Sequence, residues 1–217
     1  MDNYPLVFSV DYPDRLSRLT TAFRLVLSIP ILVVVAALIG MQTLSEDGLT
    51  ETFAVEPYFR VSVPNLVTMA GLLVLAPLLM ILFRRKYPRW WFDWNVGLLR
   101  LHNRVNVYVL LLSVEYPSTD EEQAVRLDLP YPDAVHLSRW LPLVKWVLVL
   151  PHYVILAILN LIACLVTVLA WFAIVFTGRY PRGLFDFVVG VLRWNNRVIA
   201  YAFVLATDRY PPFRLSP

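Results

Sequence analysis

Charge is scarce in this sequence. Of its 217 residues, 16% are charged and 59% are hydrophobic, against roughly a quarter and roughly half in soluble globular proteins. A water-soluble fold of this size has no interior large enough for that apolar surplus, so the composition points to a membrane protein. Cysteine is nearly absent. Cys164 stands alone in the apolar run "LNLIACLVTVLAW", which excludes a disulfide framework and a cysteine metal site. The three histidines, His102, His136 and His152, fall in separate segments with no partner at metal-ligand or triad spacing. There is no phosphate loop and no dinucleotide fingerprint. The sequence therefore predicts no enzyme, no catalytic residue, no metal and no cofactor. A net charge of +3 is too small to point to nucleic acid. The opening "MDNYPLVFSVDYPD" lacks the basic region of a secretory signal, so the first apolar segment is expected to be retained.

What is present is apolar length. Three stretches stand out: Leu25 to Met41, Leu66 to Phe83, and Val144 to Thr177. A helix crosses a hydrocarbon core with about 20 residues. The first two stretches each predict one span. The third predicts two short helices turning near Asn160, or else a single long tilted one. The two-hairpin reading puts Glu46, Asp47, Glu51 and Glu56, with Arg60 alone, in a loop over 42–64, and the other 18 of 19 basic residues on the opposite side. The positive-inside rule then places both termini in the cytoplasm. Trp90, Trp91, Trp94, Trp140, Trp146 and Trp194 lie near the basic boundary, as an interfacial belt does.

The chain also repeats itself. "KYPRWWFDWNVGLLRLHNRV" and "RYPRGLFDFVVGVLRWNNRV" are offset by 93 residues, and "YPDRLSR" recurs as "YPDAVHLSR". Arg24 lies six residues before Pro30, and Lys145 six before Pro151. The reading is of two parallel repeats, 1–119 and 120–217, within one membrane domain. Four segments with partial alternation, "LVFSVDYP", "VNVYVLLLSVEYP", "VRLDLPYP" and "VIAYAFVLATDRYP", each close on Tyr-Pro and predict a small cytoplasmic β-sheet. The expected fold is thus an α-helical multi-pass membrane protein of α+β type. It has four transmembrane helices in two hairpins, interfacial amphipathic helices and that sheet.

In the doubled passage, Pro181 suits a helix start and Asn195 and Asn196 a helix stop. Arg182, Asp186 and Arg193 fall within about 40° of one another on a helical wheel, with Gly190 beside them and Arg197 at the exit. Arg89, Asp93, Gly97, Arg100 and Arg104 repeat the arrangement. Two readings stand for this charged stripe: guanidinium anchors that fix the helix to its surroundings, or cradles for lipid phosphates. Arg24 and Lys145 read as a pair close enough to the boundary to snorkel.

"VDYPDRLSRLTTAFRLVLSIP" and "TGRYPRGLFDFVVGVLRWNNRVIAYAFVLATDRYPPF" resemble a bacterial membrane family known as domain of unknown function 4389, with "RRKYPRWW" in the first copy departing from "TGRYPRGL" in the second. The resemblance implies a bacterial inner or plasma membrane protein and brings no reaction, cofactor or site residue with it. Two functional classes follow from the sequence. One is a non-enzymatic accessory, scaffold or lipid-organising protein, whose partners are membrane lipids, anionic ones included, and a membrane protein or a second copy. The other is an oligomeric channel or transporter, for which Thr68, His152, Asn160 and Thr167 give a thin polar lining and no span carries an acid.

Overall fold

The structure, a computed structural model, describes residues 4–39, 63–118, 121, 123–133 and 137–216. In chain order the elements are β1 (Val7–Val10), α1 (Arg18–Ala22), α2 (Arg24–Ile39), α3 (Val63–Arg84), α4 (Arg89–Val109), β2 (Val125–Asp128), α5 (Leu141–Leu148), α6 (Leu150–Thr177) and α7 (Arg182–Ala202). Most of the expected 42–64 loop lies outside the described residues, as does His136.

The four-span arrangement is corrected. Among the described residues one helix, α6, is long and apolar enough to cross a membrane. The stretch expected to fold as a tight hairpin is α5 followed by an unbroken α6 of 28 residues, a length of about 42 Å. The reason is local. Between Pro151 and Gly178 there is neither glycine nor proline, and one asparagine does not stop a helix in which leucine, isoleucine, valine and alanine predominate. Asn160 stays in the helix because its amide finds a partner in Asn195 on α7, at 2.9 Å. Pro151 is tolerated in the first turn. Gly178 ends the helix in the left-handed conformation, φ 73°.

The sheet is also smaller than expected. β1 and β2 pair antiparallel, with Phe8 opposite Leu127 and Ser9 opposite Arg126. Phe8 and Leu127 bury on the inner face. The other two expected strands are helical: α4 runs on to Val109 and α7 to Ala202, so Asn195 and Asn196 are not stop signals. β-branched residues there favour a strand only weakly. Packing decides against it, because Val107, Val198, Ala200 and Tyr201 are all buried as helix residues.

α4 and α7 have equal length and start alike, on Pro88 and Pro181 in extended conformation. α7 lies along α6 and touches β1, while α4 lies along α2 and touches β2. Each strand thus meets the arginine helix from the other half of the chain. The main core fills the space between the strand pair, α4 and α7.

Candidate functional site

The charged stripes divide into an outer and an inner part. At the outer end Arg89 faces Asp93 at 4.0 Å and Arg182 faces Asp186 at 3.9 Å, both pairs well exposed. Their guanidinium groups also approach the rings of Tyr131 and Tyr12, at 5.8 and 4.4 Å. Exposed pairs of this kind contribute less than about 1 kcal/mol. The inner arginines are committed to the backbone. Arg100 Nε donates to Leu127 O at 3.0 Å, and Arg193 Nε donates to Phe8 O at 3.2 Å. Each helix therefore holds one strand of the sheet by an arginine at the same place in the doubled passage. Arg104 donates to Ser118 O. Arg197, 2% exposed, donates to Arg214 O at 3.0 Å and Ser216 O at 2.7 Å. Arg193 adds Leu215 O at 2.8 Å. Together these two side chains pin the C-terminal segment against α7. The arrangement supports the anchoring reading for the four inner arginines, each of which donates to at least one backbone carbonyl.

Gly190 shows how closely that segment sits. A Cβ there would meet Leu215 Cβ at 2.9 Å and Leu215 O at 3.2 Å, whereas at Gly97 nothing lies within 4 Å. Gly190→Ala should therefore displace Leu215, weaken its bond to Arg193 and cost about 1–3 kcal/mol. Gly97→Ala should gain about 0.5–1 kcal/mol from helix propensity. Denaturant unfolding of the two variants in mild detergent checks this; shifts of the same sign and size would contradict it.

Arg24 and Lys145 do not reach solvent. They are 1% and 0% exposed. Arg24 donates to Ser113 O, and to Tyr108 O at 3.3 Å, with its guanidinium 4.5 Å from the Tyr108 ring. Lys145 donates to Thr207 O at 2.8 Å, meets Asp208 at 2.9 Å and lies 4.7 Å from the Tyr201 ring. Tyr108 and Tyr201 are again 93 residues apart. Each cation closes the end of an arginine helix by binding the turn that follows it.

Two polar contacts were not legible in the sequence. Asn103 and Asn196, 1% and 2% exposed, exchange two amide hydrogen bonds of 2.7 Å between α4 and α7. Their identical placement in "NRV" was the available signal. Trp194 donates to His152 Nδ1 at 3.0 Å, and the His152 ring stacks on Phe213 at 3.9 Å. Among the other hydroxyl donors, Tyr87 binds Val204 O at 2.8 Å and Tyr4 binds Arg197 O at 3.2 Å. Burial holds both phenols above their ordinary pKa and pushes that of Tyr180 up to about 12, so all three are neutral. Cys164 is exposed, and among the described residues no group of histidine, cysteine and carboxylate side chains is arranged to hold a metal.

No curated protein and no solved structure matches the chain. Residues 140–214, from Trp140 ahead of α5 through α6 and α7 to Arg214 in the C-terminal segment, match the family model described as a domain of unknown function (DUF4389), the family that the doubled passage resembles.

Proposed function

We propose that the protein is a non-enzymatic protein of the cell membrane, lodged in the bilayer through α6, that serves as an accessory or lipid-organising scaffold. One observation carries this reading. α6 holds no charged residue, and only 17% of its most apolar stretch is buried, whereas the core helix of a soluble protein is mostly covered. Its buried side is a narrow stripe of His152, Leu156, Ala163, Ala170 and Ile174. Leu161, Leu165, Leu169 and Phe172 on the other sides are 50–64% exposed, an apolar surface of the kind that lipid or a partner covers. The exposed indoles of Trp90, Trp94, Trp140 and Trp146 suit the headgroup boundary.

β1 and the C-terminal segment both attach to Arg193, which supports placing the two termini on one side, and the basic clusters favour the cytoplasmic side. The recurrence of contacts at an offset of 93 residues supports a duplicated origin, with the strands exchanged between halves. The channel alternative draws less support. Asn160, Thr167 and His152 are each engaged within the fold, with Asn195, Ala163 O and Trp194, which leaves little polar surface to line a path.

Leu165→Arg with Leu169→Arg tests the reading. Both side chains are well exposed, so the fold loses little, while each charge at the centre of a membrane helix costs about 2.5–3.5 kcal/mol. The wild-type chain should stay in the membrane fraction after carbonate washing, with its tryptophans quenched by brominated lipid, and the double variant should lose both properties. A wild-type chain released by carbonate and monodisperse without detergent would end the proposal.

A further inference from the structure

The junction between α3 and α4 differs from its counterpart in a way that the fold does not require. Arg84, Arg85 and Lys86 follow one another there, all exposed, and among the described residues none of the three side chains makes a hydrogen bond or ion pair. They line an open cleft of about 730 Å³ with Met80, Tyr131 and Asp133. Three cations there face the single carboxylate of Asp133, which has an interaction of its own.

The backbone at Arg85 adds a second, independent observation. Arg85 has φ 49°, in the left-handed region, where a Cβ is strained and glycine is the undemanding choice. Its N–H donates to Ile81 O at 3.2 Å, as the N–H of Gly178 donates to Ile174 O at 2.7 Å. Position 85 is position 178 less the repeat offset of 93, and glycine, φ 73°, occupies the second copy. Leu111 and Leu205 also take positive φ, but both are buried, so packing offsets their strain. Arg85 is exposed, and among the described residues its side chain has no hydrogen-bond or ion-pair partner. A strained, exposed position that carries a cation, where glycine closes the equivalent helix end in the second copy, points to a role for the cation itself.

The surroundings identify its class. Phe83, Leu79 and Met80 on α3 are exposed beside the cleft, and Trp90 and Trp94 are 67% and 49% exposed on the first turns of α4. A phosphate would meet cations at the cleft while acyl chains lay along α3. We infer that the Arg84–Arg85–Lys86 cleft binds the phosphate of an anionic phospholipid headgroup. This inference rests on the membrane reading above.

The test uses the full chain reconstituted in vesicles of phosphatidylcholine with and without phosphatidylglycerol, with retained lipid measured by native mass analysis. The wild type should retain phosphatidylglycerol preferentially. Arg85→Gly should lower that preference about fivefold, and Arg84→Gln, Arg85→Gly and Lys86→Gln together about a hundredfold. Because glycine suits the backbone, Arg85→Gly should fold at least as well as wild type, so loss of lipid cannot be ascribed to misfolding. A triple variant that keeps its preference overturns the site while leaving membrane insertion intact. Failure of the wild type to enter either vesicle overturns the membrane reading itself. Displacement of phosphatidylglycerol by millimolar inorganic phosphate would make this a site for free phosphate and overturn the lipid assignment.

Discussion

Asn196→Ala should lower the free energy of unfolding by about 2–4 kcal/mol, and Asn103→Ala by about the same. Both N–H donors of each amide in this pair are used. Asn103 Nδ2 donates to Asn196 Oδ1 and to Leu99 O at 2.8 Å, and Asn196 Nδ2 donates to Asn103 Oδ1 and to Leu192 O at 2.9 Å. Removing one partner strands a donor and an acceptor in a site that water does not reach, and each costs about 1–3 kcal/mol. Replacing both with alanine removes the polar groups together, so the double variant should be destabilised by less than the sum of the two single costs, a coupling of about 2 kcal/mol or more. A double-mutant cycle by denaturant unfolding in detergent measures this. Additive costs would mean that the two amides are satisfied elsewhere and that the α4–α7 contact is held by apolar packing alone.

The same pair shows where reading the sequence succeeded and where it stopped. The helical character of the doubled passage and its start at Pro181 are local properties, and local periodicity carries them. β1 and β2 were likewise legible from alternation ending at Tyr-Pro. The ends of α4 and α7 were not, because "VNVYV" and "VIAYA" satisfy a strand and a buried helix equally well by composition. Only the packing of Val107 and Tyr201 decides between them. The hairpin expected within Val144–Thr177 failed for a related reason. A count of apolar residues fixes total length and not the number of helices, and the absence of glycine and proline after Pro151 was the better guide. The partners of the inner arginines lay furthest from view. Arg193 meets Phe8 O across 185 residues, and no spacing rule reaches that far. Arg100 likewise meets Leu127 O on β2 from a helix that ends at Val109.

Asp208→Ala carries the other large effect, about 3 kcal/mol of destabilisation at neutral pH, near the lower end for breaking a buried ion pair. Lys145 is 0% exposed and the Asp208 side chain 27% exposed. The asymmetry makes loss of the acid the more costly change, because it leaves a fully buried ammonium with Thr207 O and the Tyr201 ring alone. Burial lowers the pKa of Lys145 below the ordinary 10.5, and Asp208 opposes that shift by its hydrogen bond and its charge. Without Asp208 the folded pKa falls further. Between that depressed value and 10.5 the unfolded chain binds a proton that the folded chain has released, so stability rises with pH across this window. The variant should therefore recover part of its deficit as pH rises from neutral to alkaline, over a window that opens at lower pH than in the wild type. Lys145→Met removes the ammonium and should abolish the Lys145-linked slope, at a smaller cost because Asp208 keeps partial solvent access and the N–H of Ser138 at 2.6 Å. Arg24, closing the other arginine helix on two carbonyls and the Tyr108 ring, has no such exit, since guanidinium stays protonated throughout this range. Unfolding free energies of the three chains across that pH range test the account. If the Asp208→Ala deficit were independent of pH, Lys145 would have to be neutral in the folded wild type, and the turn after α7 would be held by hydrogen bonds without an ion pair.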